Sequence, residues 1–290
     1  VSRLSYRSYG KINLYLDVLE RRADGFTNIE TVLQSIDLWD RLTVAPAPAG
    51  IAFTCSDPAL DGPDNLVYRA AALVKARAGV DKGVALHLEK KLPVAAGLAG
   101  GSGNAAATLV ALSELWQLGW GTDHLCALAS ELGSDVPFCV IGGTVAATGR
   151  GEIMEVLPPI PPQWLVLVHP PLAVTAGHAY GHPALTRNLD TPVEGRTPAF
   201  ARALEALAEE GPARVIFNRM ESGVFHDHPE LATLKARLKE LGCAASAMSG
   251  SGPTVFGLCE SEAAARAVAG EIADYRTTVV QTAGRGVCRE

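Results

Sequence analysis

The run Gly97-Leu98-Ala99-Gly100-Gly101-Ser102-Gly103-Asn104 opens a stretch in which Leu109, Leu112 and Trp116 recur at helical spacing. Small residues expose backbone N–H groups and a helix N-terminus adds partial positive charge, so phosphate is the natural ligand of such a loop. Two common phosphate patterns do not account for it. No Lys-Ser or Lys-Thr follows the last glycine, as a Walker loop requires. Gly101-Ser102-Gly103-x-x-Ala106 fits the dinucleotide letters but lacks an acidic residue about 20 positions on. Standing alone, the loop reads equally as a tight turn ahead of a core helix. Asp135 follows the helix-ending Gly133 and precedes Val136-Pro137, which puts its carboxylate on a connection, where caps and turn formers also stand. Lys11 begins an alternating strand beside apolar Ile12 and Leu14, a place where a lysine is commonly a solvated charge. Ser249-Gly250-Ser251-Gly252 forms a turn between two strands.

Taken in order, Lys11, Pro93 with the glycine loop, Asp135 and the late Ser-Gly-Ser-Gly turn resemble the GHMP kinases. The phosphate loop of that superfamily looks like Pro93-Val94-Ala95-Ala96 continuing through Gly97 to Ala106. Within it the likeness is to the branch that phosphorylates a cytidine-diphosphate-linked polyol for isoprenoid synthesis. The residues that carry it are Lys11-Ile12-Asn13-Leu14, Arg21-Arg22-Ala23-Asp24-Gly25, Asp64-Asn65-Leu66-Val67, Leu132-Gly133-Ser134-Asp135-Val136-Pro137, Gly149-Arg150-Gly151-Glu152 and Met248-Ser249-Gly250-Ser251-Gly252-Pro253. The likeness spans most of the chain and is thinnest between Thr186 and Phe217.

The resemblance implies an α+β fold of two domains, an N-terminal α/β nucleotide-binding domain over residues 1–157 and a C-terminal split-βαβ (ferredoxin-like) domain over 163–290. It also implies ATP and Mg2+, with the γ-phosphoryl group passing to an alcohol of a small-molecule substrate. An alcohol is a poor nucleophile until a base takes its proton, and a neighbouring cation stabilises both the base and the developing alkoxide. By likeness Asp135 is that base and Lys11 its partner. Pro93, Ala95, Gly97, Leu98, Ala99, Gly100, Gly101, Ser102, Gly103 and Asn104 would hold the nucleotide, with the Ser102 hydroxyl serving magnesium. Asn13, Phe26, Thr27 and Tyr180 would meet the acceptor.

The chain departs from the family at several places. Phe26-Thr27 replaces a Tyr-His pair whose histidine helps hold cytosine, which leaves an aromatic face that could stack on the base opposite Tyr180. Tyr9-Gly10 replaces Pro-Ala, Asp17 replaces a common histidine, and Asn218-Arg219-Met220-Glu221 departs from Asn-Asp-Leu-Glu. These last changes are expected to alter packing more than chemistry. Two other readings stay open: another small-molecule kinase of the superfamily, such as a homoserine kinase, and a nucleotide-binding regulator without turnover.

Stepping outward, alternation predicts strands over Lys11–Val18 and Thr31–Ile36 around an Arg22-Ala23-Asp24-Gly25 turn, and again over Val84–Leu88. A helix is predicted from Asn65 to Ala78, capped by Asp64 and closed by Gly79, and another from Thr122 to Leu132. Val136 to Ile141 reads as an apolar strand. Four prolines between Leu157 and Pro162 deny ladder and helix alike and mark the domain boundary. Beyond it, Leu165–His169, helices near Phe200–Glu209 and Pro229–Leu241, strands flanking Met248–Pro253, a helix from Glu262 and a strand at Thr278–Thr282 follow in β-α-β-β-α-β order.

The chain has 290 residues, 48% hydrophobic and 19% charged, which suits a globular protein of two domains and no membrane span. A net charge of -6 leaves no overall basic face for nucleic acid. Six scattered cysteines form no zinc or disulfide pattern, and the start Val1-Ser2-Arg3-Leu4 has no apolar signal block, so a cytoplasmic monomer or homodimer is expected.

Overall fold

The computed structural model describes residues 3–290; Val1 and Ser2 lie outside the described residues. The chain runs β1 (Leu4–Arg21), β2 (Thr27–Ala47), β3 (Ile51–Cys55), α1 (Leu66–Ala78), β4 (Gly83–Glu89), α2 (Gly100–Leu115), α3 (Thr122–Ser130), α4 (Val136–Ile141), β5 (Thr144–Thr148) and β6 (Ile153–Val156). After the proline run come β7 (Trp164–His169), α5 (Ala176–Gly181), α6 (Pro198–Glu209), β8 (Phe217–Asn218), α7 (Glu221–Asp227) and α8 (Pro229–Glu240). β9 (Ala245–Met248), β10 (Val255–Cys259), α9 (Glu262–Glu271), β11 (Arg276–Gln281) and β12 (Val287–Arg289) complete it.

Two sheets result. The first has the order β12-β1-β2-β4-β3, with β5 and β8 joined to β2 and β1, and β6 joined to β5. The second is antiparallel in the order β11-β7-β10-β9, the split-βαβ arrangement that the strand and helix sequence predicts. β8 and β12 lie beyond the proline run yet pair with β1, so the later half of the chain twice returns to the first sheet. These returns bring residues around Asn218 against the strand that carries Lys11.

β1 owes its length to near-continuous burial from Ser8 to Leu19. Alternation sends Ile12 and Leu14 into a core shared with Phe200 and Phe256, and sends Lys11 and Asn13 to the opposite face. α2 is buried along most of its length because it lies between the first sheet and other helices, and small residues let it approach: a Cβ on Gly103 would stand 3.1 Å from the Tyr9 carbonyl.

Two local expectations are corrected. Asn65, not Asp64, caps α1, accepting from the Val67 N–H at 2.9 Å, while Gly79 closes the helix at φ 60° as the left-handed cap requires. Val136–Ile141 is a helix rather than a strand. A short apolar run fits either element by pattern, and Pro137 at the second helical position loses nothing by lacking an N–H there. The strand comes after Gly142 and Gly143, both at positive φ.

His169 at the end of β7 is buried between the Thr254 and Thr278 hydroxyls, at 3.2 and 3.1 Å. Burial, reinforced by Arg276, pushes its imidazole down from 6.5 to about 4. The unfolded chain therefore binds this proton at a higher pH than the folded one. The stability that neutral His169 contributes, about 3 kcal/mol, is present above the unfolded value and lost as pH falls from about 6.5 to about 4. Denaturant titrations across this range should show a flatter pH dependence for His169→Gln than for the parent; parallel curves would disprove the linkage.

Candidate active site

Lys11 is 4% exposed, so the solvated-edge reading fails and its ammonium must be held by the protein. It donates to the Asn13 Oδ1 at 2.8 Å and to the Gly97 carbonyl at 3.2 Å, and stands 3.7 Å from the Asp135 Oδ2. Asn13 is fixed in turn, since its amide donates to the Thr31 hydroxyl, which donates to the Tyr15 carbonyl. Asp135 occupies the N-cap position of α4 but makes no capping hydrogen bond. With a side chain 44% exposed, its carboxylate reaches Lys11 and open space instead of the helix.

The glycine loop is wound by three left-handed residues, Ala95 (φ 52°), Gly97 (φ 74°) and Ala99 (φ 55°). Two of them are alanines, an uncommon conformation for a residue with a Cβ and one that clusters at functional loops. The winding turns carbonyls inward: Leu98 accepts from the Lys11 N–H at 3.0 Å, and Gly97 accepts from the Ser249 hydroxyl at 2.9 Å. Ala99 supplies no side-chain cap to α2, so the N–H groups of the first turn have no capping side chain and suit an anion.

Glycine is required where this loop meets the late turn. A Cβ on Gly97 would lie 2.0 Å from the Ser249 carbonyl, and one on Gly250, at φ 56°, would lie 3.2 Å from the Lys11 Nζ. Asn218 pins that turn by donating to the Met248 and Gly250 carbonyls at 2.7 and 2.8 Å. Next to it, two departures from the family pattern meet. The Asp17 carboxylate, fully buried, pairs with Arg219 and also accepts from Asn188 Nδ2 at 2.9 Å and the Tyr15 hydroxyl at 3.2 Å. This pair ties β1 to the segment that carries Asn218.

A cavity of about 670 Å³ gathers Lys11, Asn13, Phe26, Thr27, Asp135 and Tyr180 on one wall system with Gly97, Ala99 and Ser102. The Tyr180 phenol is pushed well above its ordinary value, first by burial and then by the Asp135 carboxylate, so it stays protonated. Phe26 is 49% exposed, and the Arg150 guanidinium lies over its ring at 4.6 Å. Other residues of the loop stand elsewhere. Leu98 is core, and Asn104 is buried with its amide donating to Ser8 and Asp40 at 2.8 and 2.9 Å. Asp40 also accepts from the Leu92 N–H at 2.9 Å and pairs with Lys90, so this network braces the loop from behind. Gly100, Gly101 and Gly103 belong to α2, and Gly101 is exposed on its first turn; Pro93 and Ala95 lie outside the cavity lining.

Sequence reasoning gave no site role to Arg21, Arg150 or Arg187, which also line the cavity. Arg150 stood within Gly149-Arg150-Gly151-Glu152, which carried the family likeness with no role given to the arginine; its charge between two glycines was the available signal. Arg187 donates to the Leu19 and Tyr180 carbonyls at 2.9 and 3.0 Å and so ties α5 to β1.

The profile of the GHMP kinase N-terminal domain matches residues 65–143 and that of the GHMP kinase C-terminal domain matches residues 183–276. The 4-diphosphocytidyl-2-C-methyl-D-erythritol kinase of Geobacillus kaustophilus is 44% identical over 263 residues, covering 90% of this chain and 89% of the relative. The chain belongs to the GHMP kinases. It is an ATP-dependent kinase of the 4-diphosphocytidyl-2-C-methyl-D-erythritol kinase family, and the enzyme of that name from Pelotomaculum thermopropionicum is 46% identical, with 92% of each chain covered. The crystal structure of a 4-(cytidine 5'-diphospho)-2C-methyl-D-erythritol kinase aligns with this kinase at a TM-score of 0.82 and 37% identity, covering 97% of this chain and 99% of that one. A homoserine kinase from Cytophaga hutchinsonii aligns at a TM-score of 0.77 with 18% identity, covering 100% and 98%, and shares the fold alone. Among the described residues no helix is long and apolar enough to cross a membrane.

Proposed function

We propose that this kinase transfers the γ-phosphoryl group of ATP to the 2-hydroxyl of 4-diphosphocytidyl-2-C-methyl-D-erythritol, with Asp135 and Lys11 at the reacting atoms. The observation that carries this reading is the Lys11–Asp135 pair, 3.7 Å apart, in one cavity with both the glycine loop and the aromatic residues Phe26 and Tyr180. The acceptor oxygen attacks the γ-phosphorus as the bond to the ADP oxygen breaks, and Asp135 takes the hydroxyl proton. The Lys11 ammonium stands beside both oxygens and offsets their charge. First-turn N–H groups of α2 hold phosphate oxygens in line, a positioning role that phosphoryl transfer chiefly demands.

Magnesium accompanies ATP and would neutralise phosphate charge; the Ser102 hydroxyl, a hard oxygen donor on the cavity wall, suits it. The base of the acceptor would lie between Phe26 and Tyr180, with backbone groups near Thr27 reading its edge. Stacking tolerates different bases, so selectivity rests on those hydrogen bonds.

A panel of alcohol acceptors offered with ATP, followed by product detection, tests the assignment. The cytidine-linked polyol should be the active acceptor; homoserine as sole acceptor would overturn it. In the same assay Phe26→Ala and Tyr180→Ala should each weaken acceptor binding about 5- to 50-fold with ATP affinity unchanged, whereas Thr27→Ala should cost little. Unaltered acceptor affinity in both aromatic variants would rule out the stack.

A further inference from the structure

We propose that His178, His182 and Asp227 form a binding site for a divalent transition metal of the zinc class, which braces α5 against the end of α7. His178 lies in α5 and His182 follows its last residue in extended conformation, which brings the two rings to 5.5 Å between centroids at the helix end. Asp227, the last residue of α7, reaches between them. Its Oδ2 lies 2.9 Å from the His178 Nε2 and its Oδ1 lies 3.1 Å from the His182 Nε2. One donor atom from each residue lies within 4.8 Å of the others. Tetrahedral zinc with bonds near 2.0–2.2 Å sets its ligand atoms about 3.3 Å apart, so the two nitrogen–oxygen spacings need little adjustment.

Access and chemistry agree with this use. His178 and Asp227 are exposed, while the His182 side chain is 6% exposed and packs over Gly223, where a Cβ would meet the ring at 3.1 Å. One ligand is thus held rigidly and two can close onto an ion from solvent. Two imidazoles and a carboxylate favour zinc, copper or nickel over magnesium, so the Mg2+ that accompanies ATP would not occupy the site.

The metal-free arrangement sets a cost. The His182 Nδ1 accepts from the Ala184 N–H at 3.1 Å, which leaves the ring proton on Nε2, directed at Asp227. Coordination through Nε2 moves that proton to Nδ1, and Ala184 loses its acceptor. The affinity is accordingly lower than that of a preassembled structural zinc site. Because α5 carries Tyr180, bound metal steadies one wall of the cavity.

The full-length protein, stripped with chelator, should bind one equivalent of Zn2+ by calorimetry, and Co2+ should give the visible absorption of a tetrahedral nitrogen and oxygen site. His178→Ala and Asp227→Asn, neither of which lines the cavity, should each weaken binding about tenfold or more. Zinc should raise the thermal midpoint and slow amide exchange in α5 for the parent but not for the variants. Absence of stoichiometric binding, or equal affinity in parent and variants, would overturn the site, the latter by pointing to thiols such as Cys126 or Cys288 as the ligands.

Discussion

Asp135→Asn should lower kcat by about 10²-fold or more while ATP affinity stays near that of the parent, the expected result of removing a general base without changing shape. Structure isolates the effect. The Asp135 side chain makes no capping bond to α4, so the amide costs the helix nothing, and buried Lys11 loses the paired charge but keeps its hydrogen bonds to Asn13 and Gly97. Lys11→Ala should also depress kcat, but here ATP affinity should fall too. The Lys11 ammonium holds the Gly97 carbonyl at 3.2 Å, and its loss leaves that carbonyl only the Ser249 hydroxyl as side-chain donor and the Asn13 Oδ1 without its donor. The double variant should lose less than the product of the single losses because the two groups act on one proton transfer. Turnover retained in Asp135→Asn would remove the base from the mechanism; strict additivity would separate the pair.

The second large effect belongs to Gly97→Ala. Its φ of 74° costs an L-residue about 1–2 kcal/mol, and the added methyl would stand 2.0 Å from the Ser249 carbonyl, a backbone atom that no side-chain rotation can clear. The glycine loop and the late turn must part, and the Ser249 hydroxyl loses its acceptor. ATP affinity and turnover should each drop by about tenfold or more, with a lower thermal midpoint. Gly101→Ala is the control. Gly101 is helical, and a Cβ there would meet only the Leu66 Cδ1 at 3.5 Å, so the fold should be as stable as the parent. Equal thermal midpoints of the two variants would show that the loops do not interlock.

Much of this was legible in the sequence because it depends on neighbours along the chain. Alternation in Lys11–Val18 set the faces of β1, the small residues from Gly97 onward marked a loop entering a helix, and Gly79 marked a helix end. The order of elements after the proline run was enough for the split-βαβ layer. Periodicity could not separate helix from strand in Val136–Ile141, since six apolar residues satisfy both patterns.

What the chain decides only on folding is which distant groups meet. Asn104 sits in the phosphate-loop motif, yet its amide is spent on Ser8 and Asp40 from the first sheet, and Lys11 lies buried where its strand position alone suggested solvent. Asp17 and Arg219 look like unrelated departures until β8 pairs with β1 and joins them, an exchange of charges visible only across 202 positions. The backbone preferences of glycine, proline and alternating residues act over a few bonds and are written in local sequence. Burial, ion pairing and the shape of the cavity depend on contacts between remote segments, which hydrophobic packing brings together and local propensity does not encode.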